Sequence, residues 1–374
     1  MKQTTPKRSI VPSAKFLLLP VVVLLFLQLF SCKKKVTTTP ASVVKLIPKG
    51  PKPIWAPTIT PEMLTVIETL DTISPIPLYT LSAQQARMQK GPADAVLQVM
   101  RNYGIAMPAM KVDTSGKEIP VSDGAKIHAR IYTPKTGKSV YPVIVYYHGG
   151  GWVIGTIDGY STSSQALAEQ SDAIVVSVEY RKGPEFKFVT AHEDAFDAYK
   201  WAIKNASAFK GDSTKMAIAG ESAGGNLAIA TSLMIRDMGI RKPLFLLAVY
   251  PIANSDFNSD SYIKYADAKP LGKSLMQWFF INYLESPSQS TDLSISLVNT
   301  FLANLPPTLI IGAEIDPLQS EGKILSDKLK AAGVTTTYKL YTGVTHEFFG
   351  MATVIPEAKE AQALAATQFI NAFK

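Results

Sequence analysis

Cysteine is nearly absent: Cys32 is the only one in 374 residues, so neither an internal disulfide nor a cysteine-built metal site can exist. Charge is scarce too, at 18% against 47% hydrophobic residues, which excludes a disordered chain and suits one large enzyme-sized α/β domain. Acidic residues are missing from positions 1–52, a stretch that carries ten lysines and arginines. Setting it aside from the formal +8 leaves 28 basic against 30 acidic residues, so the body has no basic excess and no nucleic-acid partner is expected. The N-terminal apolar run, Phe16 to Phe30, is interrupted by Pro20. It falls short of the ~20 residues a membrane-spanning helix needs, which argues against a permanent transmembrane anchor. There is no internal repeat and no second domain of independent size.

That run lies between a basic stretch ending at Lys15 and the small residues Ser31 and Cys32, the arrangement of an export signal over residues 1–31. Leu29-Phe30-Ser31-Cys32 resembles the lipobox of bacterial lipoproteins, which makes Cys32 the expected lipidation site. Lys33 to Lys35 would then sit against anionic headgroups, so a bacterial membrane is the expected partner, with the outer membrane or a periplasmic face the expected location. Six prolines among Thr, Ser and Lys, from Pro40 to Pro61, predict an extended tether over residues 32–61.

The body, 62–374, alternates between two periods. Met63 to Leu70 and Ala93 to Met100 space their apolar residues helically, and Ser82 is placed to cap a helix start. Ile127, Ala129 and Ile131 alternate with polar neighbours as in a half-buried edge strand. Continuous apolar runs follow at Val143 to Tyr147, Ile174 to Val178, Met216 to Ala219, Leu244 to Val249 and Leu309 to Ile311, as strands buried on both faces require. Helical stretches lie between them, one opened by an expected capping box of Thr190 and Glu193. The fold class predicted is a doubly wound, mostly parallel α/β sheet. The segment from Lys264 to Leu284, with Trp278, Phe279 and Phe280, is expected to help the N-terminal helices roof a site at the strand ends.

Gly220-Glu221-Ser222-Ala223-Gly224-Gly225 sits between an apolar strand and an apolar helix, the context that a G-x-S-x-G nucleophile elbow requires. At a helix N-terminus Ser222 meets backbone N–H groups that favour developing negative charge, and the N–H of Ala223 is the natural first oxyanion donor. His148-Gly149-Gly150-Gly151-Trp152 follows a strand directly, and its glycines allow further N–H groups to point inward. A serine hydroxyl needs a base. Of four histidines, His128 falls in the early strand, His148 braces its own loop, and His192 lies within the expected capping box of a surface helix. His346 alone completes the chain order Ser, acid, His. The acid belongs in a loop after a strand between them: Asp316 fits, with Glu314 as its competitor and Pro317 to hold the turn rigid.

These four motifs, together with Tyr180-Arg181-Lys182-Gly183-Pro184-Glu185 followed by Glu193-Asp194, resemble the hormone-sensitive-lipase family of bacterial esterases from about Leu81 to the C-terminus. The resemblance implies an α/β-hydrolase fold with an N-terminal helical cap at about 62–110. It also implies an oxyanion hole of Gly150, Gly151 and Ala223, and a triad of Ser222, His346 and Asp316. Gly183 and Val189-Thr190 depart from the family's usual residues, so the loop after Tyr180 is expected to be shaped differently. The activity implied is carboxylic ester hydrolysis through an acyl-enzyme on short- to medium-chain esters, with no cofactor and no metal. The same triad serves peptidases and deacetylases of acetylated glycans. A peptidase would bring an added recognition domain, and a non-catalytic ligand-binding relative would have lost a triad member.

Overall fold

The structure is a computed structural model that describes residues 44–374. The expected signal, Cys32 and Lys33 to Lys35 lie outside the described residues. In chain order the elements are α1 (Pro61–Ile73), α2 (Ala83–Arg87), α3 (Pro92–Tyr103), β1 (Val112–Pro120), β2 (Lys126–Pro134), β3 (Tyr141–Tyr147), α4 (Ser161–Ser171), β4 (Ile174–Glu179) and α5 (Thr190–Asn205). They continue with β5 (Gly211–Glu221), α6 (Ala223–Asp237), β6 (Leu246–Val249), α7 (Asp260–Lys264), α8 (Lys273–Tyr283), β7 (Thr308–Ile315), α9 (Gln319–Ala331), β8 (Thr336–Thr345) and α10 (Pro356–Ala372).

The strands form one eight-stranded sheet in the order β1-β2-β4-β3-β5-β6-β7-β8. From β4 to β8 every pairing is parallel, while β1 and β2 pair antiparallel. The continuous apolar runs are the parallel strands, and Val143, Ile144 and Val145 of β3 are each wholly buried. Burying such a side chain stabilises by roughly 1.5–3 kcal/mol, which is why runs without polar alternation settle between two helical layers. Residues of α5, α6 and α9 build the core on one face, and those of α4 and α10 the core on the other. Helices α1 and α3 join the second core through Met63, Val66, Ile67, Val96 and Val99.

Several expectations are corrected. The edge strand is β1, not the strand of Ile127, Ala129 and Ile131, which lies second in the sheet. β1 is exposed at six consecutive positions and has no apolar signature to announce it. Helix α5 has no capping box: Thr190 is already helical, and the N–H groups of His192 and Glu193 donate to Val189 O. His192 is not on a surface either, being 2% exposed and bonded to Tyr283 Oη at 2.9 Å and Asn226 Oδ1 at 3.0 Å. Nor are residues 44–60 a free extended tether. Leu46, Ala56 and Ile59 are buried, Glu68 accepts from the N–H groups of Lys49 and Gly50, and Thr60 N donates to Gly343 O at 2.9 Å. Three apolar anchors interspersed among the prolines, plus backbone bonds to α1, hold this stretch to the body. Ser82 caps α2 as expected, in a capping box with Gln85.

At the carboxyl end of the sheet α8 faces the loop after β3. Phe280 meets Trp152 edge-on with centroids 5.9 Å apart, and Tyr283 stacks on Trp152 at 4.8 Å. Trp278 Nε1 donates to Leu81 O, and Arg87 of α2 donates to Val153 O and Gly183 O. The roof expected from the N-terminal helices and the Trp278 segment is therefore tied to the oxyanion loop itself. Among the described residues no helix is long and apolar enough to cross a membrane.

Candidate active site

Strand β5 ends in Gly220 and Glu221, and the chain turns into α6 at Ser222 with φ 56° and ψ −118°. A left-handed serine is strained, and the surroundings hold it there: Ser222 N donates to Val249 O at 2.8 Å, while its carbonyl accepts from Asn226 N and Ile252 N. The turn presses against the strand beside it. A Cβ on Gly224 would lie 2.0 Å from Tyr147 O and 2.5 Å from His148 O, so only glycine permits the approach. That contact sets the glycine loop after β3 against the serine.

In the loop Gly150 has φ 105°, a conformation L side chains rarely adopt, and its carbonyl accepts from Val153 N and Ile154 N. Among the described residues the N–H groups of Gly150, Gly151 and Ala223 have no protein acceptor. Three adjacent buried donors without partners suit an oxyanion, since leaving such donors unsatisfied is otherwise costly. His148 braces the loop as expected: Nδ1 donates to Gly149 O at 2.7 Å, and the ring stacks on Tyr180 with centroids 4.3 Å apart.

His346 follows β8 directly, and β8 pairs with β7, whose end carries Asp316. His346 Nε2 lies 2.9 Å from Ser222 Oγ, and His346 Nδ1 donates to Asp316 Oδ2 at 2.6 Å. All three residues are buried, with Ser222 4% exposed, His346 3% and Asp316 0%. Asp316 also accepts from Leu318 N at 2.9 Å, and Ser261 Oγ donates to Pro317 O, which fixes the turn. Burial opposes the charged imidazolium of His346, but Asp316, Glu347 and Glu221 outweigh it and hold the pKa above the usual histidine value. Glu314, the competing acid, points elsewhere: it accepts from Thr58 Oγ1 and from Gly343 N. The structure thus brings together all six residues assigned to the triad and the oxyanion hole.

The departure at Gly183 has a steric reason, since a Cβ there would lie 2.8 Å from Asn282 O of α8. Unforeseen from the sequence was a shell of carboxylates and phenols behind His346. Glu221, 1% exposed, accepts from Tyr146 Oη and Tyr250 Oη at 2.5 Å each, and Glu347 accepts from Tyr160 Oη. The signal available was slight: Glu221 occupies the variable position of the elbow, Tyr146 looks like any apolar residue of β3, and Tyr160 and Tyr250 carry no motif. Among the described residues no cluster of three or more His, Cys, Asp or Glu is arranged to hold a metal ion.

A nucleophile elbow, an ordered Ser-His-Asp constellation and free N–H donors at the carboxyl end of a mostly parallel sheet define the class: an α/β hydrolase. Comparison with known proteins agrees. The family model described as the alpha/beta hydrolase fold matches residues 144–350. The chain is 30% identical over 290 residues to an ethyl acetate hydrolase of Pseudomonas putida, covering 76% of this chain and 89% of that protein. It is 32% identical over 309 residues to the esterase LipI of Mycobacterium tuberculosis, covering 80% and 95%. Among solved structures, the hyperthermophilic esterase from Pyrobaculum calidifontis matches with a TM-score of 0.75 at 33% identity, over 84% of this chain and 98% of that one. The chain belongs to the α/β-hydrolase family that contains the hormone-sensitive-lipase-like esterases, and it is a carboxylic ester hydrolase.

Proposed function

We propose that this hydrolase cleaves short- to medium-chain carboxylic esters through an acyl-enzyme on Ser222. The observation that carries the reading is the unbroken chain Ser222 Oγ, His346 Nε2, His346 Nδ1, Asp316 Oδ2, at 2.9 and 2.6 Å. Ser222 Oγ attacks the ester carbonyl as His346 Nε2 takes its proton, and the carbonyl oxygen, now negative, receives the N–H groups of Gly150, Gly151 and Ala223. Collapse expels the alcohol, which leaves with the proton from His346. A water deprotonated by the same nitrogen then attacks the acyl group, and Ser222 is restored with release of the acid. Asp316 keeps the proton on Nδ1, so that Nε2 faces the serine as an acceptor.

The short-acyl preference is supported by crowding beside the oxyanion donors. A Cβ built on Gly151 would lie 2.1 Å from Cγ of Phe279, so the ring of this α8 residue closes down on the loop. The ethyl acetate hydrolase among the relatives is consistent with it. Purified protein lacking residues 1–32 is expected to hydrolyse nitrophenyl acetate and butyrate faster than long-chain esters, with turnover unaffected by chelators. Ser222→Ala should lower kcat by about 10⁶ while leaving the melting temperature in place. A variant that retains turnover removes Ser222 from the role.

We propose in addition that the chain is exported and lipidated at Cys32, with Lys33 to Lys35 adding attraction to anionic lipid. The support is the sequence alone: the basic stretch, the apolar run and Leu29-Phe30-Ser31-Cys32. Cells expressing the full chain with labelled palmitate should label it, and Cys32→Ala should abolish the label and release the protein from membranes. Label that persists in the variant sinks the assignment.

A further inference from the structure

The ring of Tyr250 lies against the imidazole of His346, with centroids 4.4 Å apart and planes tilted by 49°. Tyr250 is held there with some force. Its backbone is left-handed at φ 36°, its N–H donates to Ile311 O at 2.6 Å, and Phe348 meets its ring edge-on at 5.9 Å. Its hydroxyl donates to Glu221 Oε2 at 2.5 Å, while Tyr146 Oη of β3 donates to Oε1 of the same carboxylate. Glu221 is adjacent to the nucleophile in sequence, yet its side chain bonds neither Ser222 nor His346. Its link to the base runs through a phenol.

We propose that Glu221 is a positioning residue that acts on His346 through Tyr250, holding the phenol ring against the imidazole and enriching its π-face so that the imidazolium formed in each half-reaction is stabilised. The physical basis is twofold. A cation within about 6 Å of an aromatic centroid is attracted by the ring quadrupole, more strongly where water is excluded. A hydroxyl that donates a short hydrogen bond to a carboxylate carries more negative charge on its oxygen and hence in its ring. Asp316 fixes the tautomer from one side of the imidazole, and the Glu221-Tyr250 pair supports its charge from another. The inference rests on the reading of His346 as the base.

The charged and titratable groups around the pair are few. His346 is faced by Asp316 from the loop after β7, by its neighbour Glu347 and by Glu221. Glu221 is faced by Glu347, by Ser163 of α4, and by Tyr146 and Tyr250. Glu347 is faced in turn by His346, Tyr160, Asp316 and His148. Burial and Glu347 push the Glu221 carboxyl up to about 7, against the hydroxyls of Ser163, Tyr146 and Tyr250, so it carries its charge on the alkaline side of neutrality. Tyr250 itself stays protonated, because burial and Glu221 raise its pKa well above the usual phenol value.

The test compares Tyr250→Phe, Glu221→Gln and the double variant by pH profiles of kcat and kcat/KM with nitrophenyl acetate. Each single variant is expected to lose about tenfold in kcat with KM within about twofold of the parent. Each should also move the acidic limb of kcat/KM to lower pH by roughly 0.5 to 1 unit, because a less stabilised imidazolium gives up its proton more readily. The double variant should be no worse than the poorer single one, since both changes break one link. An acidic limb that stays put in Tyr250→Phe, or losses that add in full, overturns the proposal. A purely structural role would lower the melting temperature without moving the limb. Should Glu221→Gln fold poorly, Tyr250→Phe, which deletes one hydroxyl, decides alone. If the parent enzyme shows no acidic limb at all, the assignment of His346 has failed rather than this inference.

Discussion

The loop after β7 and the end of β5 each carry a buried carboxylate close to His346, and the two are wired differently. Asp316 is bonded directly to imidazole Nδ1 and accepts from the N–H of Leu318. Glu221 is pushed up to about 7 by burial and by a second buried carboxyl, Glu347, although two phenols donate to it. The difference shows that distance along the chain from the nucleophile is a poor guide to function at this end of the sheet. Glu221 adjoins Ser222 yet reaches the base only through a ring, whereas Asp316, far off in sequence, touches it.

Exchanging Asp316 for its amide breaks the comparison most sharply. Asp316→Asn keeps the shape but presents Nδ1 with a donor where an acceptor is needed, so steady-state turnover should fall by about 10⁴. Glu314→Gln, which disturbs only the contacts to Thr58 and Gly343, should cost less than about tenfold. Equal losses in the two variants would transfer the acid's role to Glu314.

A smaller effect concerns the rate of the parent enzyme. Since the surrounding carboxylates hold the His346 pKa above the usual value, the acidic limb of kcat/KM should lie above the ~6.5 of an unperturbed histidine. Protonated imidazole cannot accept from Ser222, so activity falls as pH drops through that limb. A limb at or below the unperturbed value would mean that the carboxylates do not outweigh burial at His346.

The smallest effect is on stability. Glu221 has a folded pKa near 7 against the ordinary 4.5, so between those values the folded state keeps a proton that the unfolded chain has released. Its contribution is fully present below 4.5 and is lost as pH rises through 7. Denaturant titrations of Glu221→Gln should show a shallower decline across that window than the parent, with a residual slope from Glu347, whose pKa is raised in the same direction by burial. Parallel slopes in the two proteins would mean that Glu221 is ionised throughout.

Much of the architecture was legible because burial on both faces erases alternation: the parallel strands β3 to β7 announce themselves as apolar runs. β1 did not, because an exposed edge strand needs no apolar face, and its antiparallel pairing with β2 rests on backbone bonds that any residue can make. The capping box at Thr190 failed for a related reason. The pattern was present, but the turn around Val189 and Tyr283, where Phe188 N donates to Tyr283 O, started the helix one residue earlier. Residues 44–60 read as a tether because prolines dominate them, whereas three apolar side chains and a few backbone bonds suffice to fasten the strip.

By itself the sequence determined the fold class and which residues to place at the site. A serine in a glycine-flanked turn between strand and helix, glycines after the preceding strand, and an acid and a histidine in that order can be read from local pattern, because each motif is a backbone requirement of its own neighbourhood. The tertiary structure alone decided which groups surround the base. Tyr146, Tyr160, Tyr250, Glu221 and Glu347 come from four strands' ends and a helix start, and their hydrogen bonds exist only once the sheet register sets those ends side by side. A carboxylate's pKa, and therefore its role, depends on the partners it meets in a low-dielectric interior, and those partners are not its neighbours in the chain.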